Sequence, residues 1–345
     1  MNIKQKKLHV ESVDPMIRKV CFVFMVVFVL LLSNTTAMAY PASHNAPYWV
    51  KPGTFLEYKA QSYHPFGGGF IFVVNNTKVG ISGPNVSVVF RIVRVSDGLA
   101  RVNVSISVYG SSQFPVYVIY PSNATFKPFW SNASIFNVTT IPNNITKVLL
   151  GSVTVGGQYM INLTSGWVYD LHGRPYGHTV LWDGFKPNET FAIYNGKPVR
   201  ITEVRVLNVT VKTYYSTFPK PNILVHGQHV KSAGAITFFD AFYNPAYDLC
   251  LSFIMGPIPD FNSIGVYGFL WTDDKAASID EKLLGEHGGV VDGIWVQGVI
   301  LANSSLSPGS KTKVTPPSTS ELYILPVALF VVVAGVLLLK YGKRR

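Results

Sequence analysis

Cysteine is nearly absent from this sequence of 345 residues, which contains only Cys21 and Cys250. Cys21 lies in an N-terminal segment that is predicted to be removed, so the remaining chain cannot form an internal disulfide. A zinc site with four cysteine ligands is excluded for the same reason. Cys250 stands in an apolar, strand-like segment, which is typical of an inert buried thiol rather than a nucleophile.

Charged residues are also few, at 14% of the chain against roughly 25% in ordinary soluble domains. Of the 29 Lys and Arg, five precede Tyr40 and four follow Leu339, so 20 remain against 16 acidic residues in between. No basic stripe interleaves with aromatic residues, which excludes a nucleic-acid partner. Few carboxylates also predict a fold that tolerates acid, because few charged pairs are lost on protonation.

Motifs of known chemistry are missing as well. The sequence has no Gly-x-Ser-x-Gly, no His-Glu-x-x-His, no Walker loop and no paired-cysteine motif. We therefore predict no catalytic residue, no metal ligand and no cofactor.

An apolar run at residues 20–32 follows a basic leader and predicts a secretory signal. It is 13 residues long, short of the ~20 that a membrane-spanning helix needs. Ala37-Met38-Ala39 has the small-x-small pattern of a signal-peptidase site, so residues 1–39 are the predicted signal peptide and cleavage is expected between Ala39 and Tyr40. Translation from Met16 instead of Met1 would give a shorter signal of the same type.

A longer apolar run, residues 322–339, ends in a basic tail and predicts a membrane span with the C-terminus in the cytoplasm. This gives an ectodomain at 40–303, a stalk rich in Ser, Thr and Pro at 304–320, a transmembrane helix at 321–339 and a tail at 340–345. The alternative is a removable tail that is exchanged for a lipid anchor. In either case the ectodomain lies outside the cell membrane.

N-glycosylation sequons are in clear excess over the roughly three that this composition would give by chance. Each has Asn-x-Ser/Thr with no Pro at x. The eleven asparagines are Asn75, Asn85, Asn103, Asn123, Asn132, Asn137, Asn144, Asn162, Asn188, Asn208 and Asn303. The stretch 224–302 has none, which indicates either a barer face that meets a partner or a more buried part of the fold.

Alternating apolar and polar residues predict strands almost throughout. Residues 86–95 and 102–108 form a hairpin around Asp97-Gly98, and residues 189–194 and 198–207 form another around Asn195-Gly196. Only residues 280–286 have a helical pattern. We expect an all-β or β-dominant α+β domain, built as an antiparallel sandwich or a curved half-barrel meander.

The densest polar and aromatic cluster runs from residue 167 to residue 183 and is the candidate ligand site. Its members combine rings that stack on sugars with groups that could ligate a metal, although their spacing also fits a plain strand–turn–strand connection. The candidate contacts are Trp167, Asp170, His172, His178, Trp182 and Asp183. A second group gathers acids that could bind a hard cation, although a solvated helix face is the simpler interpretation. Its members are Asp273, Asp274, Asp280, Glu281, Glu286 and Asp292.

Residues 49–58, Trp-Val-Lys-Pro-Gly-Thr-Phe-Leu-Glu-Tyr, resemble the first strand of uncharacterised archaeal secreted proteins that are anchored to the membrane at their C-termini. Tyr247-Asp248-Leu249 is similar to a Tyr-Asp strand near the end of those proteins, with Leu249 where Gly is usual. The resemblance implies an antiparallel half-barrel, reminiscent of lipoprotein carriers, with a concave apolar face. It implies no catalytic residue.

Three functions remain open from the sequence. The first is a cell-surface, single-pass glycoprotein for envelope display, adhesion or contact with an envelope or surface-layer protein. The second is a ligand-binding ectodomain, for a sugar or an apolar molecule, that serves a transporter. The third is a secreted hydrolase.

Overall fold

The structure, a computed structural model, describes residues 46–130, 133–194, 196–228, 238–287 and 292–306. The predicted signal peptide, transmembrane helix and tail, and most of the stalk, lie outside these residues. Within the described residues, no helix combines the length and the apolar character needed to cross a membrane. Residues 304–306 belong to the folded part, because Ser304 ends the last strand and Leu306 packs against the core.

The described part is all-β, as the sequence predicts, and most of its strands form one closed antiparallel barrel. In chain order, the twelve barrel strands are β1 (Phe55–Gln61), β4 (Asn85–Ser96), β5 (Leu99–Tyr109), β9 (Ser152–Asn162), β10 (Trp167–Tyr169), β11 (Pro175–His178), β12 (Thr190–Tyr194), β13 (Lys197–Leu207), β16 (Asn222–Gln228), β17 (Phe238–Asn244), β18 (Leu249–Phe253) and β22 (Val299–Ser304).

A second, open sheet has seven strands: β2 (Gly68–Val74), β3 (Thr77–Gly83), β6 (Val116–Pro121), β7 (Ile135–Ile141), β8 (Ile145–Leu150), β19 (Met255–Gly256) and β20 (Val266–Trp271). Their order across the sheet is β19, β20, β2, β3, β6, β8, β7. A small third sheet and two helices complete the described elements: β14 (Val211–Lys212), β15 (Thr217–Phe218), β21 (Ile294–Trp295), α1 (Pro259–Asn262) and α2 (Asp274–His287).

The β4–β5 hairpin confirms the strand prediction. Val102 and Val104 are fully buried while Asn103 between them is exposed, which is the two-residue period of a strand with one solvent face. Asp97 and Gly98 turn the chain with φ of 53° and 73°, as a two-residue hairpin loop with a matching twist requires. The hairpin of β12 and β13 is confirmed as well.

The barrel closes because β1 pairs on both sides, with β4 and with β22. Leu56 lies opposite Phe90 on one side and Ser304 on the other, and the Ser304 hydroxyl donates to the Phe55 carbonyl 249 positions earlier. The sequence predicts a sandwich or half-barrel instead. Local periodicity identifies strands but not which distant strands pair, so the closure cannot be read from it.

Aromatic side chains fill the interior of the barrel. Phe261 of α1 stacks on Phe90 of β4, with the ring centroids 5.8 Å apart, and lies 5.8 Å from Phe253 of β18 and 4.8 Å from Phe269 of β20. Tyr58 of β1 meets Phe90 edge to face. The concave apolar face that the resemblance implies is therefore covered by the protein's own side chains.

Helix α2 is longer than the predicted 280–286 and begins at Asp274. The Asp273 carboxylate caps it by accepting the Ala276 N–H at 2.9 Å. The buried carboxylate also accepts the Gln61 N–H and the Tyr214 hydroxyl. The helix start is fixed by these tertiary contacts as well as by the apolar pattern of the helix.

Candidate functional site

The predicted ligand cluster at residues 167–183 divides between a surface turn and the core. Asp170 and His172 lie in the β10–β11 connection, where Asp170 Oδ1 accepts the backbone N–H of His172 and of Arg174 at 2.9 and 3.0 Å. Partial burial raises the pKa of Asp170, but the N–H donors of Arg174 and His172 and the Tyr176 hydroxyl outweigh it and lower the pKa overall. Asp170 therefore acts as a turn-forming residue, as Asp often does.

His178 and Trp182 lie in the core instead. His178 is 6% exposed, its Nδ1 is 2.8 Å from the Thr179 carbonyl oxygen, and its ring meets Phe185 edge to face at 4.6 Å. Trp182 is fully buried and packs edge to face on Trp49 at 6.0 Å. Both rings are packing elements here, and neither faces solvent together with Asp170 or His172.

Trp167 and Asp183 are half-buried and occupy different places. Trp167 of β10 is the cross-strand partner of His178. Asp183 accepts the Gly184 N–H at 2.7 Å, and burial raises its pKa. The six predicted contact residues therefore do not form one site. Trp167 and Trp182 are both neighbours of His178, whose ring meets that of Trp182 edge to face at 6.5 Å, whereas Asp170 and His172 lie together at the turn.

Asp248, in the turn between β17 and β18, is close enough to Asp183 to interact with it electrostatically. Burial, together with the charge of Asp183, raises the pKa of Asp248 to about 6. Asp248 also holds a φ of 46°, an uncommon conformation for a residue with a side chain. Two neighbouring carboxyls with raised pKa values occur at acid–base sites and also in structural pairs. Sequence patterns do not indicate this pair, because the two residues are far apart in the chain.

A shallow groove of about 420 Å³ lies where the described chain begins and ends. Its lining includes Tyr48, Trp49 and Lys51 at one side and Leu306 at the other. A smaller cavity of about 90 Å³ shares Leu306 and is lined by the aromatic residues Tyr215, Phe218 and Tyr247. The Trp49 indole donates to the Tyr247 carbonyl at 3.0 Å, which fixes the wall between them. This region, the aromatic groove, is a concave surface that the described residues offer to a ligand.

The two segments that carry the family resemblance meet beside this groove. Besides the Trp49–Tyr247 hydrogen bond, the Tyr58 hydroxyl donates to the Cys250 carbonyl at 2.9 Å. Cys250 is fully buried, and burial raises the pKa of its thiol well above the usual value. This agrees with the prediction of an inert core thiol.

The acidic group at residues 273–292 serves the fold through hydrogen bonds. Asp274 accepts the Ser62 hydroxyl at 2.7 Å, and Asp280 accepts the Trp295 N–H at 2.8 Å. Asp292 accepts the Thr210 N–H at 2.8 Å. Among the residues that the structure describes, no three His, Cys, Asp or Glu side chains are placed to hold a metal.

The fold defines an all-β protein with a closed twelve-stranded antiparallel barrel, an aromatic interior and an attached open sheet. No family model, no curated protein and no solved structure matches this chain.

Proposed function

We propose that the protein is a cell-surface glycoprotein, anchored by one C-terminal membrane span, whose ectodomain serves display, adhesion or the binding of an envelope partner. The observation that supports this most directly is the placement of the sequons. Of the ten sequon asparagines in the described residues, eight are exposed and two, Asn85 and Asn162, are half-buried. Glycan acceptors have to be at the surface, and these occur on both the barrel and the open sheet.

The filled barrel supports display over transport of a molecule within the barrel. A carrier needs an internal cavity, whereas the rings of Phe90 and Phe253 pack here against Phe261 of α1, which also contacts Phe269 of the open sheet. The sequon-free stretch 224–302 also includes β18, in which all five residues are buried, and the buried helix α1. Burial thus accounts for part of the gap in the sequons, and the outer surface remains the place where a partner would bind.

The proposal is tested by expressing the full chain in a host that exports and N-glycosylates proteins. We expect the chain in the membrane fraction, with the ectodomain digested by external protease in intact cells and the C-terminal tail protected. Native mass spectrometry of the detergent-purified chain then shows a bound partner, a small ligand or neither. A soluble cytosolic chain without glycans would contradict the proposal.

A ligand-binding ectodomain is the second candidate, and the aromatic groove favours it. Its volume of about 420 Å³ is within the range of small-molecule sites, and Tyr48 is 53% exposed there, so its ring is available to stack on a sugar. Tyr48→Ala should abolish binding to a panel of oligosaccharides, while Tyr63→Ala, which changes a similarly exposed tyrosine outside the groove, should leave it unchanged. Equal binding by both variants would remove this candidate.

A secreted hydrolase remains the third candidate, for which Asp248 is the residue to test. An elevated pKa suits a general acid, and Asp183 beside it would be the second carboxylate. Hydrolysis of a polysaccharide panel that is lost in both Asp248→Asn and Asp183→Asn would support it. Activity that survives both changes would exclude this pair.

A further inference from the structure

Strand β7 is an exposed sheet edge with an apolar, uncharged sequence. It ends the order of the seven-stranded sheet and pairs only with β8 among the described strands. All seven of its residues are exposed, including Ile135, Phe136, Val138 and Ile141. No charged residue occurs from position 128 to position 146. Such an edge, with unpaired backbone N–H and C=O groups, is a template for pairing with another chain.

The apolar inner face of the sheet continues onto β7 but loses its cover there. Val118 of β6 and Val148 of β8 are cross-strand partners and are 0% and 2% exposed. Val138 of β7 is the next partner in the same row and is 56% exposed. The edge therefore has both free backbone groups and an open apolar row beside them.

The usual protections of an edge strand are mostly missing from β7. A register irregularity at Phe136 gives one bulge, but the strand has no Lys, no Glu and no Pro. Two copies related by a twofold axis at Val138 would place Ile135 opposite Ile141, with no like charges opposed. By its sequence alone, β7 is suited to pair with a second copy of itself.

Sequons surround this strand. Asn137 is in its centre and, as the neighbour of Val138, projects from the opposite face of the sheet. Asn144 is in the β7–β8 turn, and its carbonyl accepts the Ser122 N–H at 2.7 Å, so Asn123 lies at the same end of β7. All three asparagines are exposed. A fourth sequon, Asn132, precedes β7 and is outside the described residues.

We propose that N-glycans on Asn123, Asn137 and Asn144 cover the β7 edge and prevent the protein from pairing with a second copy through this strand. A bulky, hydrated glycan in the middle of the strand and others at one end take the place of the charged residues that protect other edges. The inference rests on the proposed function, because it requires an exported and glycosylated chain.

The test uses two substitutions at Thr139, the third residue of the Asn137 sequon. Thr139→Ala removes the sequon and leaves Asn137 in place, whereas Thr139→Ser keeps the sequon. Because position 139 is exposed, neither substitution disturbs the core. The full chain is produced in an N-glycosylating host and purified in detergent, and its protein mass is measured by light scattering after size exclusion. Glycopeptide mass spectrometry gives the occupancy of Asn137.

We expect the wild type and Thr139→Ser to carry a glycan at Asn137 and to be monomeric. Thr139→Ala should unfold at the same temperature as Thr139→Ser but form dimers or larger oligomers as its main species. The double variant Val138→Lys/Thr139→Ala should return to a monomer, because the lysine places charges against each other at the centre of the paired edges.

Three results would overturn the inference. One is a bare Asn137 in a wild-type chain that carries glycans elsewhere, which leaves the proposed function intact. Another is a Thr139→Ala variant that is as monomeric as Thr139→Ser. The third is oligomers that persist in the double variant, since the contact would then not involve β7. A chain without any glycan would contradict the proposed function itself.

Discussion

The barrel and the open sheet differ in how they treat their edges and interiors. In the barrel, β1 pairs on both sides, so the sheet has no free edge, and aromatic residues pack its interior. The open sheet ends in β7, whose seven residues are all exposed. Closure protects backbone groups through hydrogen bonds within the protein, and an open edge needs another kind of protection. The barrel thus protects its strands by closure, whereas the fold itself leaves the β7 edge of the open sheet uncovered.

The largest expected effect is at the buried Asp260 carboxylate of α1, which joins strand β9 to the segment that follows β11. It accepts the Tyr159 hydroxyl and the Thr179 hydroxyl at 2.7 Å each, and the Val180 N–H at 2.8 Å. Asp260→Ala should lower the free energy of unfolding by about 3 to 5 kcal/mol, because three buried donors lose their acceptor.

Asp260→Asn is the matched control for that change. It keeps the oxygen that both hydroxyls use, so its cost in urea unfolding should be smaller, about 1 to 2 kcal/mol. Equal costs for the two variants would show that the hydrogen bonds are not what Asp260 contributes.

Replacing one phenylalanine in the barrel interior and one at the sheet edge compares how much each region contributes to stability. Phe90 is 2% exposed inside the barrel, and Phe136 is 45% exposed on β7. Phe90→Ala should cost about 3 to 5 kcal/mol in urea unfolding, because it leaves a cavity among stacked rings. Phe136→Ala should change stability by less than about 1 kcal/mol. Similar losses at both positions would mean that β7 is as well packed as the barrel.

A smaller effect is expected within one row of the open sheet. Val148→Thr should cost about 1 to 2 kcal/mol, since the new hydroxyl is buried without an assured partner. Val138→Thr, its cross-strand partner, keeps the Asn137 sequon and should change stability by less than about 0.5 kcal/mol. Urea unfolding of both variants measures the difference. A costly Val138→Thr would show that this row is covered at β7 as well.

The smallest effect is a dependence of stability on pH. Burial raises the pKa values of Asp183, Asp248 and Asp260, that of Asp248 to about 6. A carboxyl whose pKa is higher in the folded chain contributes stability that is fully present below its unfolded pKa and is lost as pH rises through the folded value. These groups should therefore raise the Tm as pH falls from about 7 to about 4. Asp170, with its lowered pKa, acts in the opposite direction at the surface.

Asp248→Asn tests this dependence by thermal melting across the same pH range, and it should reduce the rise in Tm on acidification. Asp97→Asn is the matched control, because Asp97 has a similar positive φ, 53° against 46°, in an exposed turn. The control should follow the wild-type curve. A wild-type Tm that falls steeply in acid would contradict both the raised pKa values and the acid tolerance that the low charge content predicts.

Local features of the fold were predictable from the sequence because they depend on neighbouring residues. The two-residue period of β5 and the Asp97-Gly98 turn identified a hairpin with the observed partners. Pairing between β1 and β22 was not predictable, since it joins residues 249 positions apart without a local signal. The start of α2 was missed because Asp273, which caps the helix by accepting the Ala276 N–H, is held in place by the distant donors Gln61 and Tyr214.

The candidate site was the harder part to predict. Residues close in sequence were expected to form one cluster, but strand geometry sends His178 into the core and leaves His172 at a turn. The aromatic groove and the Asp183–Asp248 pair bring together residues from distant segments. The composition of these segments does not indicate that they meet. Placing Tyr247 beside Trp49 requires knowledge of how the distant strands next to them pair in the barrel.

The central claim is that the ectodomain is exported and glycosylated, and one measurement tests it most directly. The full chain is expressed in an N-glycosylating host, and mass spectrometry then identifies its first residue and the occupied asparagines. We expect a first residue of Tyr40 and glycans on exposed acceptors such as Asn103 and Asn137. An intact N-terminus with every sequon asparagine unmodified would contradict the account.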